Sequence, residues 1–399
     1  MNEALALLRP YPFERLAEIR RSINPCKTKS PIDLSIGEPK HPTPPFLIDA
    51  IRAHLPAMAK YPATRGTEAL RQAIVDWLIA RYQLPQGSLS AENNVLPVNG
   101  TREALFAIAQ CVINKEKPRP TVIIPNPFYQ IYEGATLLAG AEPWYVDCLP
   151  ERDFVPDFNG VPKKVWERCQ LIYLCSPANP TGAVFNANTF TQLLELADRY
   201  DSIIASDECY SEIYLEENKP PVGLLQAAAQ RGRTDYCRCL VFHSLSKRSS
   251  VPGLRSGFVA GDAAVIEPFL RYRTYHGCAM PLYAQAASQL AWRDEAHVQK
   301  NRRLYREKFD VVLKILAPAL KVKRPDAGFY LWPEVPQDDI EFSRNLLEQE
   351  NITVLPGSFL AHTAEGRNPG HRYVRIALVP SIEECIDAAA RIRNYLNSL

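Results

Sequence analysis

The 399-residue chain has almost no excess of either charge: 46 Lys and Arg face 44 Asp and Glu, leaving +2. A surface so balanced builds no field to gather nucleic acid or anionic lipid, so neither is expected as a main partner. No apolar run reaches the ~18 residues of a membrane-spanning helix. Low-complexity tracts are missing and aromatic residues make up 10% of the chain, which excludes extended disorder. The first residues lack the apolar core of a signal peptide, because Glu3 interrupts them and Pro10 follows soon after. The 10 cysteines include no C-x-x-C pair, and the 7 histidines no H-x-x-x-H spacing. A metal site is therefore not expected. The scattered cysteines, several inside apolar runs, read as free thiols in a reducing cytoplasm.

What remains is an ordinary globular composition, 46% hydrophobic and 23% charged. The length suggests roughly two or three domains. Between about residues 70 and 275, short apolar runs alternate with helix-like stretches. The runs are 94–98, 121–124, 144–146, 171–174, 202–205, 240–242 and 257–260, and 102–111 and 189–200 are amphipathic segments between them. Strands apolar on both faces and separated by helices point to an α/β fold, a parallel sheet covered on both sides. The flanks differ. Residues 12–23, 294–316, 340–350 and 382–396 have helical patterns, with β-like pieces at 328–332, 352–355 and 373–378. They predict a smaller α+β domain (1–45 and 291–399) built from both chain ends around a large domain (46–290).

Ligands of such sheets bind at the carboxyl ends of the strands. Five of the seven runs are followed by polar, glycine-bearing or aromatic residues: Asn99-Gly100-Thr101-Arg102, Pro127-Phe128-Tyr129, Asn179-Pro180-Thr181-Gly182, Asp207-Glu208-Cys209-Tyr210 and Ser244-Leu245-Ser246-Lys247. A lysine at a strand end can form a Schiff base with an aldehyde cofactor where its surroundings favour the neutral amine. The hydroxyls of Ser244 and Ser246 and the guanidinium of Arg255 suit a phosphate. Gly100, Thr101 and Arg102 open a helix whose positive end would hold the same group. An acid directly after a buried strand, Asp207, needs a partner, and a protonated pyridine nitrogen is one. Tyr210 and Asn179 are placed to bond a phenolate oxygen, and Tyr129 to stack on a ring. Plainer roles stand beside these: Asp207 as a helix cap, Tyr210 and Tyr129 as core, Thr101 as an ordinary N-cap, Asn179-Pro-Thr-Gly as a turn.

The ordered set Tyr61-Pro, Asn99-Gly-Thr-Arg, Pro127-Phe-Tyr129, Asn179-Pro-Thr-Gly, Asp207-Glu-x-Tyr210, Ser244-x-Ser-Lys247, Pro252-Gly-Leu-Arg255 and Arg375 resembles the class I aminotransferases. These are pyridoxal-phosphate enzymes of fold type I. The resemblance runs from about residue 10 to 395. Around Lys247 it is most similar to bacterial N-succinyldiaminopimelate aminotransferases of lysine biosynthesis. It implies a mainly parallel seven-stranded sheet sandwiched by helices, with a smaller α+β domain. It implies pyridoxal 5'-phosphate held by Lys247, paired at its pyridine nitrogen with Asp207, bonded by Tyr210 and Asn179 and stacked on Tyr129. Gly100, Thr101, Arg102, Ser244, Ser246 and Arg255 would bind the phosphate. Tyr61 would reach the phosphate of a partner subunit, which implies a homodimer with shared sites. Arg375 would fork onto the substrate α-carboxylate, helped by Asn179 and the backbone of Gly37. Two positions depart from the common pattern, Ala178 before Asn179 and Arg248 after Lys247.

The expected reaction is transamination between glutamate/2-oxoglutarate and N-succinyl-LL-2,6-diaminopimelate, with aspartate, aromatic or alanine substrates as the alternative. A penicillin-recognising serine hydrolase would also use S-x-x-K, but no K-T-G is present. An ATPase would need a phosphate loop, and there is no Gly-Lys dipeptide. A non-catalytic ligand sensor of the same fold is the distant alternative. The pattern begins too early for the DNA-binding domain such sensors usually add in front.

Overall fold

The computed structural model describes residues 1–364 and 366–399. Seven strands form the central sheet: β1 (Val95–Val98), β2 (Thr121–Asn126), β3 (Glu142–Asp147), β4 (Cys169–Cys175), β5 (Ile203–Asp207), β6 (Cys239–Ser244) and β7 (Gly257–Gly261). Their order is β1-β7-β6-β5-β4-β2-β3. Six run in one direction, and β7 is antiparallel to both its neighbours. The expected mainly parallel, seven-stranded α/β sheet is thus observed.

Alternation along the strands explains why both faces are covered. In β4, Ile172 and Leu174 join one apolar cluster while Leu171, Tyr173 and Cys175 join the other, and all are buried. Successive side chains point to opposite faces, so a strand apolar throughout needs helices on both sides. Helices Glu68–Tyr82 and Ala187–Tyr200 contribute to the first cluster, and Thr101–Val112 to the second.

The two chain ends meet in a separate apolar cluster. Strand Ile32–Asp33 pairs in parallel with Ile352–Thr353. Leu355–Pro356, Val374–Ala377 and Tyr330–Leu331 make a three-stranded antiparallel sheet. The single β-like piece expected at 352–355 is therefore two strands in different sheets. The backbone leaves the Ile32 strand after Thr353 and takes up pairing with Arg375 at Leu355. Along helix Ala296–Leu316, Val298, Arg302, Tyr305, Phe309, Val312 and Leu316 recur at helical spacing and are buried.

All ten cysteines are free thiols, six buried and four half-buried. No helix among the described residues is long and apolar enough to cross a membrane.

Because Leu174 is fully enclosed in the central strand β4, Leu174→Ala should cost about 2–5 kcal/mol through lost transfer energy and a residual cavity. A denaturant midpoint unchanged from wild type would contradict that packing.

Candidate active site

The strands β1, β2, β4, β5 and β6 all end on one edge of the sheet, and the segments after them converge there. β7 runs the other way, so its entry lies at the same edge, with Gly257 opposite both Val98 and Ser244. That reversal delivers Arg255, two residues before β7, to the site. A cavity of about 640 Å³ opens at this edge. Its wall includes Thr101, Arg102, Tyr129, Asn179, Asp207, Tyr210, Ser244, Ser246, Lys247, Arg255, Gly37 and Arg375, twelve of the residues singled out from sequence.

Asp207 is buried at the end of β5. Tyr132 donates its hydroxyl to Oδ2 at 2.7 Å, and the Cys209 amide donates to Oδ1 at 3.2 Å. Burial raises its pKa above the ordinary carboxylate value, and these hydrogen bonds oppose the rise. Lys247 lies in the short helix Leu245–Arg248, which Ser244 caps by accepting the Ser246 amide. Its Nζ donates to the Gly37 carbonyl at 2.5 Å and sits 5.5 Å from the Phe329 ring centre. Burial is the main cause that lowers its pKa to about 8; Cys209 and Glu38 oppose this, and Arg375 and Arg255 add to it. A much larger share of this amine is therefore neutral near pH 7 than of an exposed lysine.

Arg375, on strand Val374–Ala377, is 4% exposed. Its Nη1 donates to Asn179 Oδ1 at 2.9 Å and its Nη2 to the Ser35 carbonyl at 2.7 Å. Nε is buried without a partner, and no carboxylate among the described residues pairs with the guanidinium. A buried, unpaired cation facing a cavity is costly, and an anionic ligand would relieve the cost.

Gly100 stands beside the cavity with φ +82°, and a Cβ there would fall 2.1 Å from Arg255 Nη2. Only glycine lets this turn and Arg255 approach so closely. Gly37 is required for a similar reason, since a Cβ would fall 1.8 Å from the Tyr330 hydroxyl. Thr101 is not an N-cap: Gly100 holds that position, and the Thr101 hydroxyl meets Cys209 Sγ at 3.0 Å. Arg102 donates through Nε to the Tyr129 hydroxyl at 2.7 Å. Tyr61 stands apart from the cavity and is fully exposed. Arg248 is buried beneath the site, its guanidinium 4.9 Å from the Trp292 ring centre and paired with Glu295.

Several residues at the site escaped the sequence reading. Tyr132, in the first turn of helix Ile131–Leu138, stands behind the wall and meets it only through Asp207, 75 residues on. Cys209 lies inside a motif already identified. Tyr330, whose hydroxyl is 3.0 Å from that of Tyr210, has no local signal, because only the distant strand pairing of Ala377 with Tyr330 brings it near Arg375. Tyr11 and Phe13 also line the cavity from the N-terminal segment.

The profile of the family "Aminotransferase class I and II" matches residues 29–392. An aminotransferase of known structure from Neisseria meningitidis is 51% identical, with a TM-score of 0.95, over 99% of this chain and 100% of its own. The aminotransferase AspB from Helicobacter pylori is 35% identical, with a TM-score of 0.90, over 98% and 100%. Among curated proteins, an LL-diaminopimelate aminotransferase from Maridesulfovibrio salexigens is 29% identical over 98% of both chains.

In the ligand-free protein, acylation of Lys247 by an amine-specific reagent should rise with pH around a midpoint of about 8. Peptide mapping that finds an ordinary lysine midpoint would overturn the account of its burial.

Proposed function

The chain belongs to the class I and II aminotransferases, and within that family we propose that it transfers an amino group between glutamate/2-oxoglutarate and N-succinyl-LL-2,6-diaminopimelate. The observation that carries an amino-acid substrate is Arg375: a buried guanidinium with an unpartnered Nε on the wall that also holds Lys247 and Asp207. The diaminopimelate skeleton rests on the likeness to LL-diaminopimelate aminotransferases. Those names also favour a second reading, in which the unsuccinylated LL-2,6-diaminopimelate is the substrate.

Enzymes of this family use pyridoxal 5'-phosphate, and the residues present fit it. Asp207 is a buried carboxylate with spare lone pairs, Lys247 an amine that gives up its proton more readily than an exposed lysine, and the Gly100–Arg255 contact a cradle that a Cβ would fill. When bound, the cofactor supplies an aldehyde for amine exchange and a cationic ring that draws electrons from the substrate. Lys247 would carry the covalent link, and its Nζ, once free, would take the proton from the substrate's α-carbon. Asp207 would hold a proton on the pyridine nitrogen, kept in place by Tyr132 and the Cys209 amide. Tyr210 and Asn179 would bond the phenolate oxygen, and Tyr129 would stack on the ring. Gly100, Thr101, Arg102, Ser244, Ser246 and Arg255 would hold the phosphate. Arg375 would fork onto the substrate α-carboxylate, with Asn179 and the Gly37 backbone beside it.

The large domain is taken as 46–290 and the small one as 1–45 with 291–399, so the substrate contacts come from both, Asn179 from the large one and Gly37 and Arg375 from the small one. A homodimer completes the site through Tyr61 of a second copy. The full exposure of the Tyr61 side chain, away from the cavity of its own chain, supports that reading. The free thiols suit the cytoplasm.

Adding L-glutamate to the purified yellow protein should convert its visible band to that of the pyridoxamine form, and Lys247→Ala should abolish the change while leaving the fold. Succinylated and free diaminopimelate, offered side by side, should be separated by kcat/KM in favour of the succinylated compound; the reverse order selects the second reading. Arg375→Lys should raise KM for the amino acid roughly ten- to hundredfold, the worth of a charge-assisted hydrogen bond of ~1.5–3 kcal/mol. An unchanged KM would remove Arg375 from the carboxylate site.

A further inference from the structure

Lys308 is a buried lysine with no carboxylate partner among the described residues, 3% exposed on helix Ala296–Leu316. A charge placed so is costly unless something uses it. Its Nζ donates to the Val379 carbonyl at 3.2 Å and lies 2.9 Å from His41 Nε2. The other His41 nitrogen, Nδ1, is 2.7 Å from Asn301 Oδ1. Asn301 Nδ2 donates to the carbonyls of Lys247 at 3.1 Å and of Arg248 at 3.3 Å. These two acceptors fix the amide orientation, so Oδ1 faces His41 and must accept. His41 therefore carries its proton on Nδ1 and accepts from Lys308 through Nε2. The hydrogen bonds run one way, from Lys308 through His41 and Asn301 to the main chain of Lys247.

The position of His41 gives this chain of bonds a purpose. It is four residues after Gly37, whose carbonyl receives the Lys247 amine. Ser250, three residues after Lys247, donates to the His41 carbonyl at 3.0 Å. Asn301 also satisfies carbonyls at the end of the four-residue helix that bears Lys247, where intrahelical partners run out. Val379, at the other end, follows the strand that presents Arg375. The Lys247 side chain must leave Gly37 to react, whereas its backbone has to stay in register with Arg375.

We propose that His41, with Lys308 and Asn301, is a positioning residue that holds the Lys247 main chain fixed relative to Arg375 while the Lys247 amine moves. This deepens the aminotransferase reading and rests on it. The test uses the full-length holoenzyme with His41→Ala, His41→Gln and Lys308→Met. Visible circular dichroism of the bound cofactor reports the geometry at Lys247, and the glutamate half-reaction gives kcat and KM separately. His41→Ala and Lys308→Met should lower kcat by about ten- to a hundredfold, the scale of a small misplacement, change KM for glutamate little, and alter the dichroism. His41→Gln, which keeps one donor and one acceptor, should recover most of both. Unchanged kcat and dichroism in His41→Ala would overturn the proposal, as would equal loss in His41→Ala and His41→Gln. Should His41→Ala fail to fold, Lys308→Met decides by the same two readouts. A wild-type protein that takes up no cofactor would overturn the functional reading, and this proposal with it, before any variant is measured.

Discussion

Two opposite charges have been carried out of water to the same edge of one sheet: the Asp207 carboxylate at the end of β5 and the Lys247 ammonium just beyond β6. Each is displaced from its ordinary protonation equilibrium mainly by burial. They do not cancel as a salt bridge, because Asp207 is held by Tyr132 and the Cys209 amide, and Lys247 by the Gly37 carbonyl. The protein therefore keeps two unspent electrostatic demands facing one cavity. Such unsatisfied demands are what a charged cofactor can meet, and the rest of the site is arranged around them.

The sheet makes that arrangement affordable. Parallel strands covered on both faces must be apolar throughout, which leaves the strand ends as the places for polar side chains. The antiparallel β7 adds a cation to the same edge without another crossover helix. Ser244, Gly257 and Val98 are lateral neighbours across three strands, so the segments holding Gly100, Ser244 and Arg255 fall together. Close approach then selects glycine at 100.

The strands and the residues after them were legible because their signals are local: an apolar run, then a polar loop. Nine of the residues read from sequence share the cavity for this reason; Arg255 precedes its strand, and Gly37 and Arg375 were read only from the resemblance. The pairing of the small sheets was not legible, since the switch at Val354 depends on which distant strand accepts each half of the 352–356 segment. Tyr330 and Tyr11 were missed on the same ground. Cys209 was visible as a residue, and its amide bond to Asp207 is local, two residues apart, but its contact with Thr101 comes from strand order, not from spacing. Tyr61 was read from its motif, and in a single chain it touches nothing of the site.

The segment from Ser35 to His41 ties these parts together. Ser35 accepts from Arg375, Gly37 accepts from Lys247, and His41 reaches Asn301 and Lys308. One stretch of chain thus contacts the buried Arg375 guanidinium, the Lys247 amine and helix Ala296–Leu316. Ile32–Asp33, just before it, is paired with Ile352–Thr353, so the stretch is anchored in the smaller sheet while its far end accepts from Ser250 in the segment between β6 and β7. The contacts of Ser35 with Arg375 and of His41 with Lys308 stay within the flanking segments, whereas the Gly37 contact with Lys247 joins this stretch to the segment after β6. The Arg375 guanidinium and the Lys247 amine are thus both held by carbonyls of one short stretch, Ser35 and Gly37, so the placing of each depends on where that stretch lies.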